Sequence, residues 1–188
     1  ETAAQADSME QYISADLDGG LVGAKRALGE KKFDLILLQD VLEHLRSPDQ
    51  MLQDCKRYCK PSGRVIVSVP NVANITVRLG LLFGSFDYRP RGILDRTHLR
   101  FFTRKTARQL LESAGYEVIE QRSTVMPLEL AFGLDAKNPL MIVLNRVLAL
   151  FTWINPGLLG YQTILVARPK AVGVPAAEIQ PRVYRPAA

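Results

Sequence analysis

The sequence predicts an α/β fold built on a mostly parallel sheet with flanking helices. Two apolar runs and the segment between them carry that prediction. Residues 33–39, FDLILLQ, and 63–70, GRVIVSVP, are nearly continuous apolar stretches bounded by Gly, Pro and charge. Runs of this kind read as strands buried on both faces of a parallel sheet. Between them, SPDQMLQDCKRYCKPSG offers Ser47 as N-cap and Pro48 at the first helical position. Met51, Leu52, Cys55 and Tyr58 share one face, and Pro61 with Gly63 supplies a stop. Strand, helix, strand is the right-handed crossover unit that joins parallel neighbours.

The remaining elements follow in order. A weaker strand, QYISAD, spans residues 11–16 and precedes the first run. TRKTARQLLESAGYEVIEQRS supplies a helix stopped at Gly115 and then a strand, and GYQTILVARP supplies a last strand. The alternation gives an α/β architecture without internal repeats. Residues 84–100 carry few helix or strand signals, and long loops in compact α/β domains are usually functional. NPLMIVLNRVLALFTWINPG is an apolar helix between Pro139 and Pro156, interrupted by Asn145 and Arg146. It falls short of the ~20 apolar residues of a membrane span. A helix apolar nearly all round is expected to pack in the core, with a dimer contact or peripheral membrane contact as the alternatives.

At 188 residues with 47% hydrophobic content, the chain suits one domain. Cys55 and Cys59 stand four apart in a helical pattern and read as core or surface thiols in a reducing, cytoplasmic setting. No basic leader followed by an apolar stretch opens the sequence. Much of the +5 net charge sits at the C-terminal end, in Arg168, Lys170, Arg182 and Arg185 against Glu178. The remainder is too weakly basic to argue for nucleic acid. Residues 169–188, rich in Pro, are expected to form a disordered tail after a domain spanning 1–168.

The chemistry concentrates where the first apolar run ends. In open α/β sheets ligands bind beyond the carboxyl ends of the strands. Asp40, Glu43 and His44 follow Gln39 there, and one helical turn would place all three on one face. The alternative is a helix start whose acids favour the positive end of the dipole, with His44 solvated.

FDLILLQDVLEHLRSPDQMLQDCKRYCKPSGRVIVSVPN resembles the second half of class I S-adenosylmethionine-dependent methyltransferases, particularly the type 11 and type 23 groups. The strand ending in D-x-x-E-H, the turn Pro61–Ser62–Gly63, the strand end Ser68 to Asn71, and GILDRTHLRFFT followed by LLESAGYEVIE carry the likeness. It implies a Rossmann-like, partial class I methyltransferase fold whose last strand is antiparallel. By this resemblance Asp16 and Leu17 meet the adenine of S-adenosylmethionine, and Gln39 and Asp40 pass its methionine moiety. A carboxylate suits an exocyclic amine; the alternative for Asp16 is an ordinary Asx turn. The family's glycine-rich loop should precede Glu1, Thr2 to Met9 resemble the end of an earlier helix, and the domain is expected to be N-terminally incomplete and to bind the cofactor poorly alone.

The activity implied is methyl transfer to an oxygen or nitrogen of a small metabolite or saccharide, with His44 as candidate base and His98 as second candidate. A non-catalytic fragment or binding module is the alternative. Asp40, Glu43, His44 and His98 are also similar to the Mg²⁺-binding set of small-RNA 2′-O-methyltransferases and to the E-x-x-E-H of ubiquinone-pathway O-methyltransferases. Asp40 here stands where a Glu is usual. Two histidines suit Zn²⁺, Mn²⁺ or Fe²⁺ better than Mg²⁺. Otherwise His98 hydrogen-bonds within its own turn and orders the loop. Residues 86–108, with Arg89, Arg91, Arg96, Arg100, Arg104, Lys105 and Arg108 against Asp87 and Asp95, either receive an anionic acceptor or form a solvated face.

Overall fold

The computed structural model describes residues 11–128 and 138–170. Four strands, β1 (Phe33–Gln39), β2 (Cys59–Pro70), β3 (Tyr116–Ser123) and β4 (Gln162–Pro169), form one sheet in the order β1–β2–β4–β3. β1 and β2 pair in parallel, and β4 pairs antiparallel with both β2 and β3. Three strands therefore point one way and the last runs against them, as the sequence resemblance implied. Among the described residues the α-helices are α1 (Lys25–Leu28), α2 (Pro48–Tyr58), α3 (Ile75–Leu82), α4 (Arg104–Ser113), α5 (Pro139–Ile154) and α6 (Pro156–Leu159).

α2 begins at Pro48 as read from the sequence, although Ser47 makes no side-chain cap bond. Its apolar face supplies Met51, Leu52 and Cys55 to a core shared with Val65, Val67 and Val69 of β2 and with Leu111 of α4. Both cysteines are buried there as free thiols. α4 is framed by a Thr103–Thr106 capping box and ends before Gly115, whose φ of +85° suits a residue without Cβ. Tyr116 is fully buried, and its hydroxyl donates to the Leu52 carbonyl at 2.8 Å, tying β3 to α2.

Four expectations need correction. QYISAD forms no strand; residues 11–17 are irregular, because no neighbouring strand among the described residues offers them a ladder. β1 is covered on one face only: Leu38 is buried, but Leu35 and Leu37 are 48% and 53% exposed. Pro61 and Gly63 do not stop α2, which already yields to β2 at Cys59; they lie inside the span of β2 opposite the register shift between Phe33 and Leu35. A Cβ at Gly63 would meet the Phe33 carbonyl oxygen at 2.9 Å, so the close approach there requires glycine. Finally, α5 is not a core helix. Only Met141 and Thr152 on it are buried, and most of its apolar side chains face outward. The Thr2–Met9 helix and the tail beyond Lys170 lie outside the described residues.

Two buried asparagines fix the carboxyl edge. Asn74 caps α3 by accepting from the Thr76 N–H at 3.0 Å, while its amide donates to the carbonyls of Leu159 and Gly160. Asn71 donates to the carbonyls of Gly157 and Gly160 at 3.1 and 2.9 Å. The start of α3 and the chain around α6 are thereby held at one corner. Replacing Asn74 by Ala removes a cap and strands buried carbonyls, and should lower the unfolding free energy by about 2–3 kcal/mol in denaturant titration. Asn74→Asp keeps the cap but loses the donors; it should destabilise at least as much, and near-parental stability would show that the amide bonds contribute nothing.

Candidate active site at the carboxyl edge

β1 breaks at Asp40, the one described non-glycine residue with positive φ, at 50°. Such a conformation persists where the surroundings hold it. Here the Asp40 N–H donates to the Ser68 carbonyl at 3.1 Å, and its carboxylate accepts from Gln162 Nε2 at 2.7 Å. The chain then makes a 3₁₀ turn over Leu42–His44, with Leu42 buried as its anchor. The turn carries Glu43 into the interior, where it is 1% exposed.

The backbone carbonyl of Glu43 accepts from the N–H groups of both Leu99 and Arg100, at 2.8 and 3.0 Å. That pair of hydrogen bonds pins the loop after α3 against the strand end and helps bring His98 to His44, with ring centroids 4.8 Å apart and planes at 67°. His44 is half-buried rather than solvated. Its Nδ1 lies 3.2 Å from both the carbonyl and the hydroxyl of Thr97. The Thr97 hydroxyl itself donates to Asp95 at 2.7 Å, so it accepts from imidazole and Nδ1 carries the proton. His98 Nδ1 likewise lies 3.1 Å from the Ile93 carbonyl, which can only accept. In the neutral rings both Nε2 atoms are therefore left as lone-pair donors. Asp95, holding the Thr97 N–H as well as its hydroxyl, has its carboxyl pKa lowered by those bonds.

Glu43, His44 and His98 each present a ligand atom within 4.8 Å of the others. Neither carboxylate oxygen of Glu43 has a hydrogen-bond partner of normal geometry. Burial pushes its pKa up to about 7, with the nearby Asp40 charge adding to the rise. Asp40 adjoins this group but is not one of the three, its carboxylate being engaged by Gln162 and Ser68.

The other sequence-identified residues are placed as follows. Gln39 and Asp40 are exposed at the end of β1. Asp16 is exposed and forms an Asx turn, accepting the Asp18 N–H at 3.0 Å, while Leu17 packs against the core. Asp18 pairs with Arg46 at 3.3 Å, and the Arg46 carbonyl accepts from the Arg100 guanidinium at 2.6 Å. The 16–18 segment, the strand-end turn and the later loop are thus bonded in series. The basic run divides. Arg104 holds the Arg122 carbonyl and Ser123, Arg108 pairs with Glu112, and Arg89 and Arg91 line a cavity of about 580 Å³ with Val77, Ile93 and Tyr161. Thr97, Ser68 and Gln162 were not identified from the sequence; the D-x-T spacing at Asp95–Thr97 was the one local signal for an Asx turn.

A raised carboxyl pKa weakens the folded state as pH climbs. The penalty is absent below the ordinary value of 4.5 and complete above about 7. It amounts to about 3 kcal/mol when complete. In the presence of a chelator, Glu43→Gln should flatten the loss of stability between those pH values and melt above the parent at pH 8. Identical pH profiles for parent and variant would refute the burial of an ionising carboxyl.

A family model described as a methyltransferase domain matches residues 3–121. The ubiquinone biosynthesis O-methyltransferase of Cupriavidus pinatubonensis is 26% identical over 146 residues, covering 74% of this chain and 57% of that protein. The enzyme of the same description from Coxiella burnetii is 28% identical over 93 residues, 48% of this chain and 38% of its own length. The chain thus spans little more than half of the first relative. Among solved structures, a SAM-dependent methyltransferase from Archaeoglobus fulgidus superposes with a TM-score of 0.50 at 17% identity, over 83% of this chain and 66% of that one. An S-adenosylmethionine-dependent methyltransferase from Clostridium acetobutylicum gives 0.50 at 8% identity, over 89% and 68%. These structural likenesses speak to the fold. The sequence match covers well over half of the chain, and together with the sheet order it settles the assignment: the chain belongs to the methyltransferase domain family.

Proposed function

We propose that the protein acts in S-adenosylmethionine-dependent methyl transfer to an oxygen or nitrogen of a small metabolite or saccharide, an acceptor hydroxyl being the nucleophile its site suits best. One observation carries the proposal. Two imidazoles whose Nδ1 atoms are committed to backbone and threonine acceptors stand beside a buried carboxylate, ligand atoms of all three lying within 4.8 Å of one another. S-adenosylmethionine supplies an electrophilic methyl group when bound. Of the residues present, the exposed Asp16 carboxylate and Leu17 would meet its adenine, and exposed Gln39 and Asp40 at the end of β1 its methionine moiety. An acceptor hydroxyl brought to the carboxyl edge would have its proton removed at Nε2 of His44. The resulting imidazolium is supported through Thr97 by the Asp95 carboxylate. His98, held by the Ile93 carbonyl, positions the loop that forms the cavity wall.

The same donor set fits a divalent cation. Glu43, His44 and His98 would hold it, and the Nδ1–H bonds to Thr97 and Ile93 are the outer contacts that orient ligating histidines. A bound cation supplies Lewis acidity that lowers the pKa of an acceptor hydroxyl. Two imidazoles favour Zn²⁺, Mn²⁺ or Fe²⁺. His44 cannot ligate and act as free base at once, so the two assignments compete.

Calorimetric titration of the protein with Mn²⁺ or Zn²⁺ separates them. If the cation is bound, Glu43→Gln and His98→Ala should each weaken it by about 10–100-fold or more. If none binds and methyl transfer from labelled S-adenosylmethionine to a panel of phenols, catechols and sugars survives chelator, His44 is the base. His44→Ala should then reduce kcat by about 10²–10⁴-fold with little change in KM. Full transfer by both His44→Ala and His98→Ala would defeat the proposed site.

A further inference from the structure

α5 inverts the usual pattern of a surface helix. A narrow seam containing Met141, Leu148 and Thr152 faces the protein. Leu140, Val143, Val147, Leu150, Phe151 and Ile154 are 46–62% exposed. At about 100° per residue they fall in one broad arc opposite that seam. A helix of a soluble surface turns its polar side outward; this one turns out hydrocarbon. Trp153 at its end is 74% exposed. α3 adds Leu79, Leu81 and Leu82, continued by Phe83, all outward. Neither helix contains an acid, and each carries one exposed arginine, Arg78 and Arg146. Asn71 and Asn74 bind α6, next after α5, to the start of α3.

Sixteen residues make a helix of about 24 Å, short of the ~30 Å hydrocarbon core. Among the described residues no helix is long and apolar enough to cross a membrane. An apolar arc bordered by arginine, without acids, fits an interface that is greasy within and anionic at its surface. We propose that α5, with the exposed end of α3, lies in the plane of a bilayer bearing anionic headgroups. The apolar arc enters the interface, and Arg78 and Arg146 meet headgroup phosphates. A second copy is the competing occupant, since Leu140, Val143, Val147, Leu150 and Ile154 recur at coiled-coil spacing. One such seam, however, is narrower than the exposed arc and would leave Trp153 and the α3 residues uncovered. α3 also lines the cavity beside Ile93, with Val77 and Gly80 in its wall.

Trp153 is the chain's only tryptophan and reports directly on the helix. Vesicles of phosphatidylcholine with phosphatidylglycerol should shift its emission to the blue and co-float with the protein, more weakly at high salt and with phosphatidylcholine alone. Val147→Glu combined with Leu150→Glu should reduce partitioning by about tenfold or more, and Arg146→Glu by several-fold for the anionic vesicles alone. Both apolar positions are exposed, so circular dichroism and the unfolding midpoint should stay at parental values. The proposal is overturned if emission and flotation ignore vesicles. It is equally overturned if, without lipid, light scattering gives a doubled mass and Trp153 is already blue-shifted, both effects vanishing in the double variant; a second copy then covers the helix.

Discussion

The backbone carbonyl of Glu43 holds the site together. By accepting from both Leu99 and Arg100 it joins the end of β1 to a loop more than fifty residues later in the chain. Together with the bonds from His44 to Thr97 and from Arg100 to the Arg46 carbonyl, it brings His98 to His44 and anchors at the strand end the loop that walls the cavity. A carbonyl has two lone pairs, so one buried backbone group can satisfy two donors at once. The position is chosen by the left-handed residue before it: Asp40 ends the strand abruptly enough for a 3₁₀ turn to carry Glu43 inward.

The inward turn gives one residue two opposed roles. Its carbonyl is doubly satisfied, whereas its buried carboxyl has no hydrogen-bond partner of normal geometry. Burying such a group costs folding free energy unless it stays protonated or gains a counter-charge. Two imidazoles beside it offer a counter-charge when protonated, and lone pairs when neutral. The asparagine pair and the valine-rich β2 carry the rigidity around this local weakness.

Much of this was legible in the sequence where local rules act alone. The start of α2 at Pro48, the end of α4 before Gly115 and the burial of β2 follow from proline, glycine and apolar runs. The proximity of Asp40, Glu43 and His44 follows from their spacing. What failed depended on neighbours. QYISAD has strand composition but nothing described beside it to pair with, and FDLILLQ has a two-faced pattern with one face covered. Composition likewise could not tell a core helix from one that shows its hydrocarbon outward, because α5 is apolar either way. The parting of the basic run was hidden too: Arg104 and Arg108 serve the fold, and Arg89 and Arg91 face the cavity. Thr97 escaped notice because its use depends on an imidazole far away in sequence.

The insertion of β4 between β2 and β3 sets the order in which the chain can assemble. β3 is made some forty residues before β4, yet it has no ladder to β2, and among the described residues β4 is its one strand partner. As the chain emerges from the ribosome, the β1–α2–β2 unit can close early, but β3 and α4 must wait as an unpaired flap. The final strand acts as a zip that shuts both sides together, and it also delivers Gln162 to Asp40. Long-range pairing of this sort slows folding and leaves sticky edges open meanwhile. A nascent chain stalled before residue 162 would therefore present the unpaired edge of β2 and an unpaired β3 to chaperones.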